Sequence, residues 1–334
     1  MPRCSSRKCS CGTRSDVTSY RWCDFAIRTD FDIPELPPVD ASTRAAAEWR
    51  VTLAAGEPLD RPEPTWFHHW DFPDGRRWVA FARYRGGYLL RFPSLADFDI
   101  VPAARTVAIY AQPATPAHTL RHLLLDQVLP LLAGGRDRLS LHGSAVATDR
   151  GVMLFLGGSG YGKSTLAAQL ARKGLELVSD DCCLLVRSAE GFDVVPSYPG
   201  VRLAPDSVSE LFGDAAGHYP PVAHYTTKLR VDGEQQHELR FNDRRLPLSS
   251  IYVIEPTAGR ETPAGVVLQL RSRRAALFDV LNYTFHLDVQ NQSRIREAFD
   301  LATDVVLRYS VRSLMFPWEL AKSDAVAEAI LGDR

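Results

Sequence analysis

The chain has 334 residues, of which 45% are hydrophobic and 24% charged, and its formal net charge is −1. This is the composition of an ordinary soluble globular protein of about two domains, and the near-zero charge argues against a nucleic-acid partner held by a general basic footprint. No apolar run approaches the roughly 20 residues of a membrane span, and the N-terminus lacks a secretory apolar segment, so a cytoplasmic protein without membrane contact is expected.

Residues 1–17 read as a disordered, Ser- and Arg-rich leader. Four of the six cysteines, Cys4, Cys9, Cys11 and Cys23, fall near this end without a C-x-x-C pair, so no zinc site is expected. A β-rich N-terminal α+β domain is expected over 18–135. It opens with an apolar stretch from Tyr20 to Ile33, a proline-marked loop (Pro34, Pro37, Pro38) and a short helix over Ala41–Trp49. Glu57–Pro64 reads as a connection. Arg77–Tyr84, a turn at Arg85-Gly86-Gly87 and Tyr88–Phe92 predict a hairpin, and Asp97–Tyr110 two further strands. Trp66, Phe67, Trp70, Phe72, Trp78 and Phe81 are expected in the core. Thr115-Pro116 opens a helix that ends at Gly134-Gly135, with His118 and His122 expected on its surface.

A nucleotide-binding domain is expected over 136–334. Leu139–Ala147 predicts a strand that turns at Asp149-Arg150-Gly151 and returns as Met153-Leu154-Phe155-Leu156, an antiparallel hairpin. Gly157-Gly158-Ser159-Gly160-Tyr161-Gly162-Lys163-Ser164 follows and meets every fixed position of the phosphate-loop pattern G-x-x-x-x-G-K-[ST]. Glycines let consecutive N–H groups turn inward around an anion. A helix from Ser164 to Lys173, stopped by Gly174, adds its dipole. The expected nucleotide-binding set is therefore Gly157 to Ser164 with Thr165; Lys163 reaches the β- and γ-phosphates and Ser164 ligates Mg²⁺.

Leu175–Val178 predicts the next strand, ending at Asp180-Asp181. Cys182–Val186 continues as a strand in which both cysteines are core thiols. Residues 206–248 read as polar and irregular, with basic Arg240, Arg244 and Arg245. Further strands are expected at Ser250–Ile254, Gly265–Leu270 and Val305–Met315, and helices at Arg273–Leu281, Asn291–Leu301 and Ala325–Leu331. Asp180 lies 17 positions after Lys163, where a strand-end carboxylate faces a γ-phosphate. Two adjacent carboxylates can divide the work, one accepting a proton from an incoming hydroxyl and the other holding Mg²⁺ or its water. His142, on the strand beside the phosphate loop, is the remaining catalytic candidate.

The run LHGSAVAT…GGSGYGKST…GLELVSDD resembles the catalytic domain of the HPr kinase/phosphorylase family, closely over about 45 residues from Leu141 to Leu185. The resemblance implies a phosphate-loop kinase domain with a mixed sheet and flanking helices, and an ATP- and Mg²⁺-dependent kinase acting on a serine of a protein or peptide. It also implies Asp180 as the base, His142 in a supporting place and Asp181 beside the metal. The family's Arg-Gly-x-Gly signature is absent: the corresponding stretch reads Arg244-Arg245-Leu246-Pro247-Leu248. HPr itself and a phosphorylase activity are therefore not expected. The overall plan is more similar to HPr-kinase-related serine kinases, some of which tailor lasso peptides, and in them Arg202, Lys228 and Arg230 would pair with phosphate or an acidic substrate. A nucleotide-gated binding module and a kinase of free serine stay open as alternatives, as does a homo-oligomer.

Overall fold

A computed structural model describes residues 17–39, 47–55, 64–72, 74–213, 219–232, 239–255, 264–317 and 323–333. The expected leader, except Val17, lies outside them, as do most of the 57–64 connection and residues 41–46 of the expected short helix. Ala47 to Trp49 of that helix belong to a strand instead: Trp49 and Val51 are buried two apart, the period of a strand.

The fold is mixed α/β. The first sheet has eight strands: β1 (Thr18–Trp22), β2 (Phe25–Thr29), β3 (Ala47–Leu53), β4 (Thr65–Asp71), β5 (Arg77–Tyr84), β6 (Gly87–Phe92), β7 (Ala96–Val101) and β8 (Thr106–Ala111), in the order β1-β2-β3-β8-β7-β6-β5-β4. The hairpin expected around Gly86-Gly87 pairs Tyr84 with Gly87. Phe81 is core, but Trp66 and Trp70 are 38% and 36% exposed, because β4 is the sheet's edge strand. The helix after Pro116 runs as α1 (Ala117–His122), a π-helical segment (Leu123–Val128) and α2 (Leu129–Ala133). Its buried leucines share one core with the first sheet and with Cys182, Leu184, Val186 and Tyr198.

The second sheet gathers ten strands. The expected strand over Leu139–Ala147 is two, β9 (Arg138–Leu141) and β10 (Gly143–Thr148), interrupted at His142. The segment after Tyr283 runs alongside the break. The His142 N–H donates to the Tyr283 carbonyl at 2.7 Å, and the Phe285 N–H donates to the Ser140 carbonyl at 2.9 Å. β10 and β11 (Gly151–Leu156) form the expected antiparallel hairpin. Then come α3 (Lys163–Arg172), β12 (Glu176–Ser179), β13 (Cys183–Arg187), β14 (Phe192–Val195), β15 (Val201–Leu203) and α4 (Pro205–Phe212). The chain continues through β16 (Leu229–Val231), β17 (Arg240–Phe241), β18 (Leu246–Ile254), β19 (Val267–Leu270), α5 (Arg273–Asn282), α6 (Gln292–Arg308), β20 (Val311–Met315) and α7 (Ser323–Gly332). β15 and β16 form a separate ribbon.

Two expectations are corrected here. The stretch 206–248 holds most of α4 and all of β16 and β17. The helix beginning at Gln292 also carries on through Val305 and Val306 to Arg308. Leu301, Ala302, Val305 and Val306 recur at helical spacing on one buried face, and that burial outweighs the strand preference of two valines. β11 lies parallel to β18, and β18 parallel to β20. α5 and α6 cover one face of this sheet, while α3, α4 and α7 cover the other.

Candidate phosphate-binding site

The phosphate loop joins the end of β11 to the start of α3. All six residues of β11 are buried, so the loop starts from a fixed strand. Gly162 caps α3 with φ 89°, a left-handed conformation that favours glycine. At Gly158 the Tyr161 ring folds over the loop, 2.9 Å from where a Cβ would stand. The loop backbone thus wraps onto the N-terminus of a ten-residue helix, whose free N–H groups and dipole favour an anion.

Lys163 is buried and donates three hydrogen bonds: to the Gly157 carbonyl at 2.9 Å, the Gly158 carbonyl at 3.0 Å and His142 Nε2 at 3.1 Å. The other ring nitrogen, Nδ1, donates to the Asp181 carbonyl at 3.2 Å. That pattern requires a neutral His142 with its proton on Nδ1. Burial, and then the Lys163 charge, hold the His142 pKa below the ordinary histidine value. Burial also lowers that of Lys163.

The aspartate pair occupies the tight turn between β12 and β13. Asp180 is only 1% exposed. Its Oδ1 accepts from Ser144 Oγ at 2.6 Å, and its Oδ2 from the Arg202 N–H at 3.0 Å and the Arg202 guanidinium at 3.3 Å. Asp181 has φ 63°, a left-handed conformation that aspartate tolerates better than most residues. Burial works to raise its pKa, but the Arg202 and Lys228 charges bring it below the ordinary carboxylate value.

Asp181, Lys163, Ser164, Thr165, Ser159, Gly160, Gly162 and His142 line one cleft of about 100 Å³, with Arg202, Ala204, Ser207 and Lys228 on its other side. Asp180 is not among the lining residues. The resemblance implies Asp180 as the proton acceptor; in the structure both of its carboxylate oxygens accept hydrogen bonds from Ser144 and Arg202, and Asp181 is the carboxylate that lines the cleft. Gly157 and Gly158 meet the site through their carbonyls, and Tyr161 through its packing on Gly158.

Sequence reasoning missed Ser144 and Asp126. Ser144 stands two positions after His142, on the strand next to the loop. Asp126, in the π-helical segment, accepts from Arg202 Nη2 at 2.7 Å, from the Tyr198 hydroxyl at 2.6 Å and contacts His122 Nδ1 at 2.7 Å. His122 is accordingly not the surface histidine expected, being 13% exposed, whereas His118 is half-buried with its Nε2 enclosed. Cys182 and Cys183 are buried, as expected of core thiols.

Among the described residues, no group of three or more His, Cys, Asp and Glu side chains could hold a metal ion. Mg²⁺ needs no such cage; it is usually held by one or two protein oxygens together with substrate phosphates and water. Ser164 and Asp181 are a donor set of that kind. No helix among the described residues is long and apolar enough to cross a membrane.

No protein-family model matches the chain, and no curated protein matches it. Among solved structures, the HPr(Ser) kinase/phosphatase of Coxiella burnetii is similar over 58% of this chain and 97% of its own, at 15% sequence identity and a TM-score of 0.30.

Proposed function

We propose that this chain is an ATP-dependent kinase that transfers the γ-phosphate to a serine hydroxyl of a protein or peptide. The observation that supports this reading is the convergence of Lys163, Ser164 and Asp181 on one cleft at the N-terminus of α3. In this reading the loop N–H groups and the α3 dipole hold the phosphates, and Lys163 leaves the Gly157 and Gly158 carbonyls to pair with them. Bound Mg²⁺ would neutralise charge on the phosphates, and Ser164 and Asp181 are the residues that would hold it.

The chemistry asks a carboxylate to take the acceptor's proton, because a serine hydroxyl is a weak nucleophile. Asp181 is the carboxylate in reach. The serine O–H bond gives its proton to Asp181 while the oxygen forms a bond to the γ-phosphorus. The bond from that phosphorus to the bridging oxygen breaks, and ADP leaves with the electron pair. Asp180 acts as a positioning residue in this scheme, fixing the turn that presents Asp181.

The test is incubation with γ-labelled ATP, Mg²⁺ and a pool of serine-containing peptides, followed by mass spectrometry. Phosphoserine in peptides, absent with Lys163→Ala, supports the reading. Label on free serine alone, supplied in a parallel reaction, would assign a small-molecule kinase instead, and nucleotide binding without any transfer would assign a nucleotide-gated module.

A further inference from the structure

The phosphate-loop cleft carries a cation that belongs neither to the loop nor to the aspartate turn. β15 and β16 pair Leu203 with Leu229, which places Ala204 opposite Lys228 one step further along the ribbon. Both line the cleft together with Lys163, Ser164 and Asp181, but they reach it from the ribbon.

The backbone of Lys228 is held on both sides. Its N–H donates to Thr226 Oγ1 at 3.3 Å, and its carbonyl accepts from the Val222 N–H at 2.9 Å. The residue is half-buried, yet its ammonium makes no hydrogen bond or ion pair among the described residues. The other two cations of the cleft are engaged. Lys163 donates to two loop carbonyls and to His142, and Arg202 reaches Asp126, Asp180 and Asp181. Burial raises the Asp181 pKa, while Arg202 and then Lys228 lower it. Burial lowers that of Lys163, and Lys228 acts in the same direction. Lys228 is therefore within electrostatic reach of both groups without pairing with Asp181.

We propose that Lys228 is a catalytic residue of the transfer, its ammonium binding the γ-phosphoryl oxygens as that group passes to the serine. The inference rests on the kinase reading of this cleft and adds a residue to it. The resemblance leaves Lys228 open to phosphate or to an acidic substrate, and its place near Asp181 selects the phosphate. Asp181 takes the serine proton, so the acceptor oxygen and the phosphoryl group meet beside that carboxylate. Three negatively charged partners then crowd together, and a cation there offsets their repulsion most once the serine oxygen has given up its proton. Lys163 serves the phosphates of the bound nucleotide from the loop, so Lys228 contributes to turnover and not to affinity. It forms no covalent bond and keeps its own proton.

Steady-state transfer from γ-labelled ATP to a serine peptide of the pool, with calorimetric titration of ATP–Mg²⁺ alongside, tests this in wild type, Lys228→Gln and Lys228→Arg. We expect Lys228→Gln to lower kcat about 10²-fold while ATP affinity stays within about threefold. Lys228→Arg keeps the charge and is expected to recover most of the lost kcat. The loss in Lys228→Gln should also persist across the whole pH profile. A residue that acted only by keeping Asp181 ionised would instead move the acidic limb to higher pH and leave the plateau alone. Wild-type kcat in Lys228→Gln, weaker ATP binding with kcat unchanged, or a loss confined to the acidic limb overturns the inference while the kinase reading stands. A wild type that phosphorylates no serine peptide overturns both.

Discussion

Arg202 grips Asp180 three times: its backbone N–H at 3.0 Å and its guanidinium at 3.3 Å reach the same carboxylate oxygen, and the guanidinium also donates to the Asp180 carbonyl at 3.1 Å. The guanidinium is 4% exposed and continues to Asp126 on one side and Asp181 on the other. One buried cation thus neutralises three acids that belong to the π-helical segment and to the β12–β13 turn. Removing one partner from a buried charge cluster leaves the others uncompensated. Arg202→Met is therefore expected to cost about 3–5 kcal/mol of stability, read from urea denaturation. Arg202→Lys is expected to recover little, because a single ammonium cannot reproduce the fork that reaches all three. A loss below about 1 kcal/mol for Arg202→Met would show that the cluster carries no such weight.

The aspartate pair should separate cleanly in mutagenesis. Asp181→Asn is expected to lower turnover by about 10²-fold or more, and to cost less stability than Asp180→Asn, since Arg202 reaches Asp181 only at 3.5 Å and the side chain lines the cleft. Asp180→Asn places an amide where Ser144 and Arg202 both donate. It is expected to cost about 1–3 kcal/mol of stability in addition to any loss of turnover. Steady-state kinetics and thermal melts of both variants check this. Full stability with lost turnover in Asp180→Asn would return the proton to Asp180.

How far the sequence foretold the site follows from the range of the signals. The phosphate loop and the β10–β11 hairpin were legible because their cause is local: a glycine pattern, an apolar run and a short turn. The break of β9 and β10 at His142 was not, because it depends on Tyr283 and Phe285, more than 140 positions away. Asp126 lies 76 positions before Arg202, on a helix whose apolar pattern gives no hint of a buried acid. The placement of the two aspartates had a different range: spacing puts both at a strand end, and only the left-handed turn at Asp181 sets which of them lines the cleft.

His142 supplies a pH prediction. Burial and Lys163 hold its folded pKa below the ordinary 6.5, so the unfolded chain binds more protons than the folded one as pH falls through that value. Stability should therefore decline from about pH 7.5 to about pH 5. His118 and His286, also lowered by burial, add to the same trend. His142→Gln, which cannot take up the proton, is expected to flatten this part of the melting-temperature profile. An unchanged slope would show that His142 does not carry it.

The account's central claim is that one cleft both binds nucleotide and passes its phosphate to a serine. The most direct measurement follows ADP and phosphoserine together in a single reaction of the full chain with ATP, Mg²⁺ and a serine peptide selected from the pool. The account predicts that the two products rise in equal amounts, and that both vanish with Lys163→Ala. ADP formed without phosphoserine, or phosphoserine undiminished in Lys163→Ala, would contradict it.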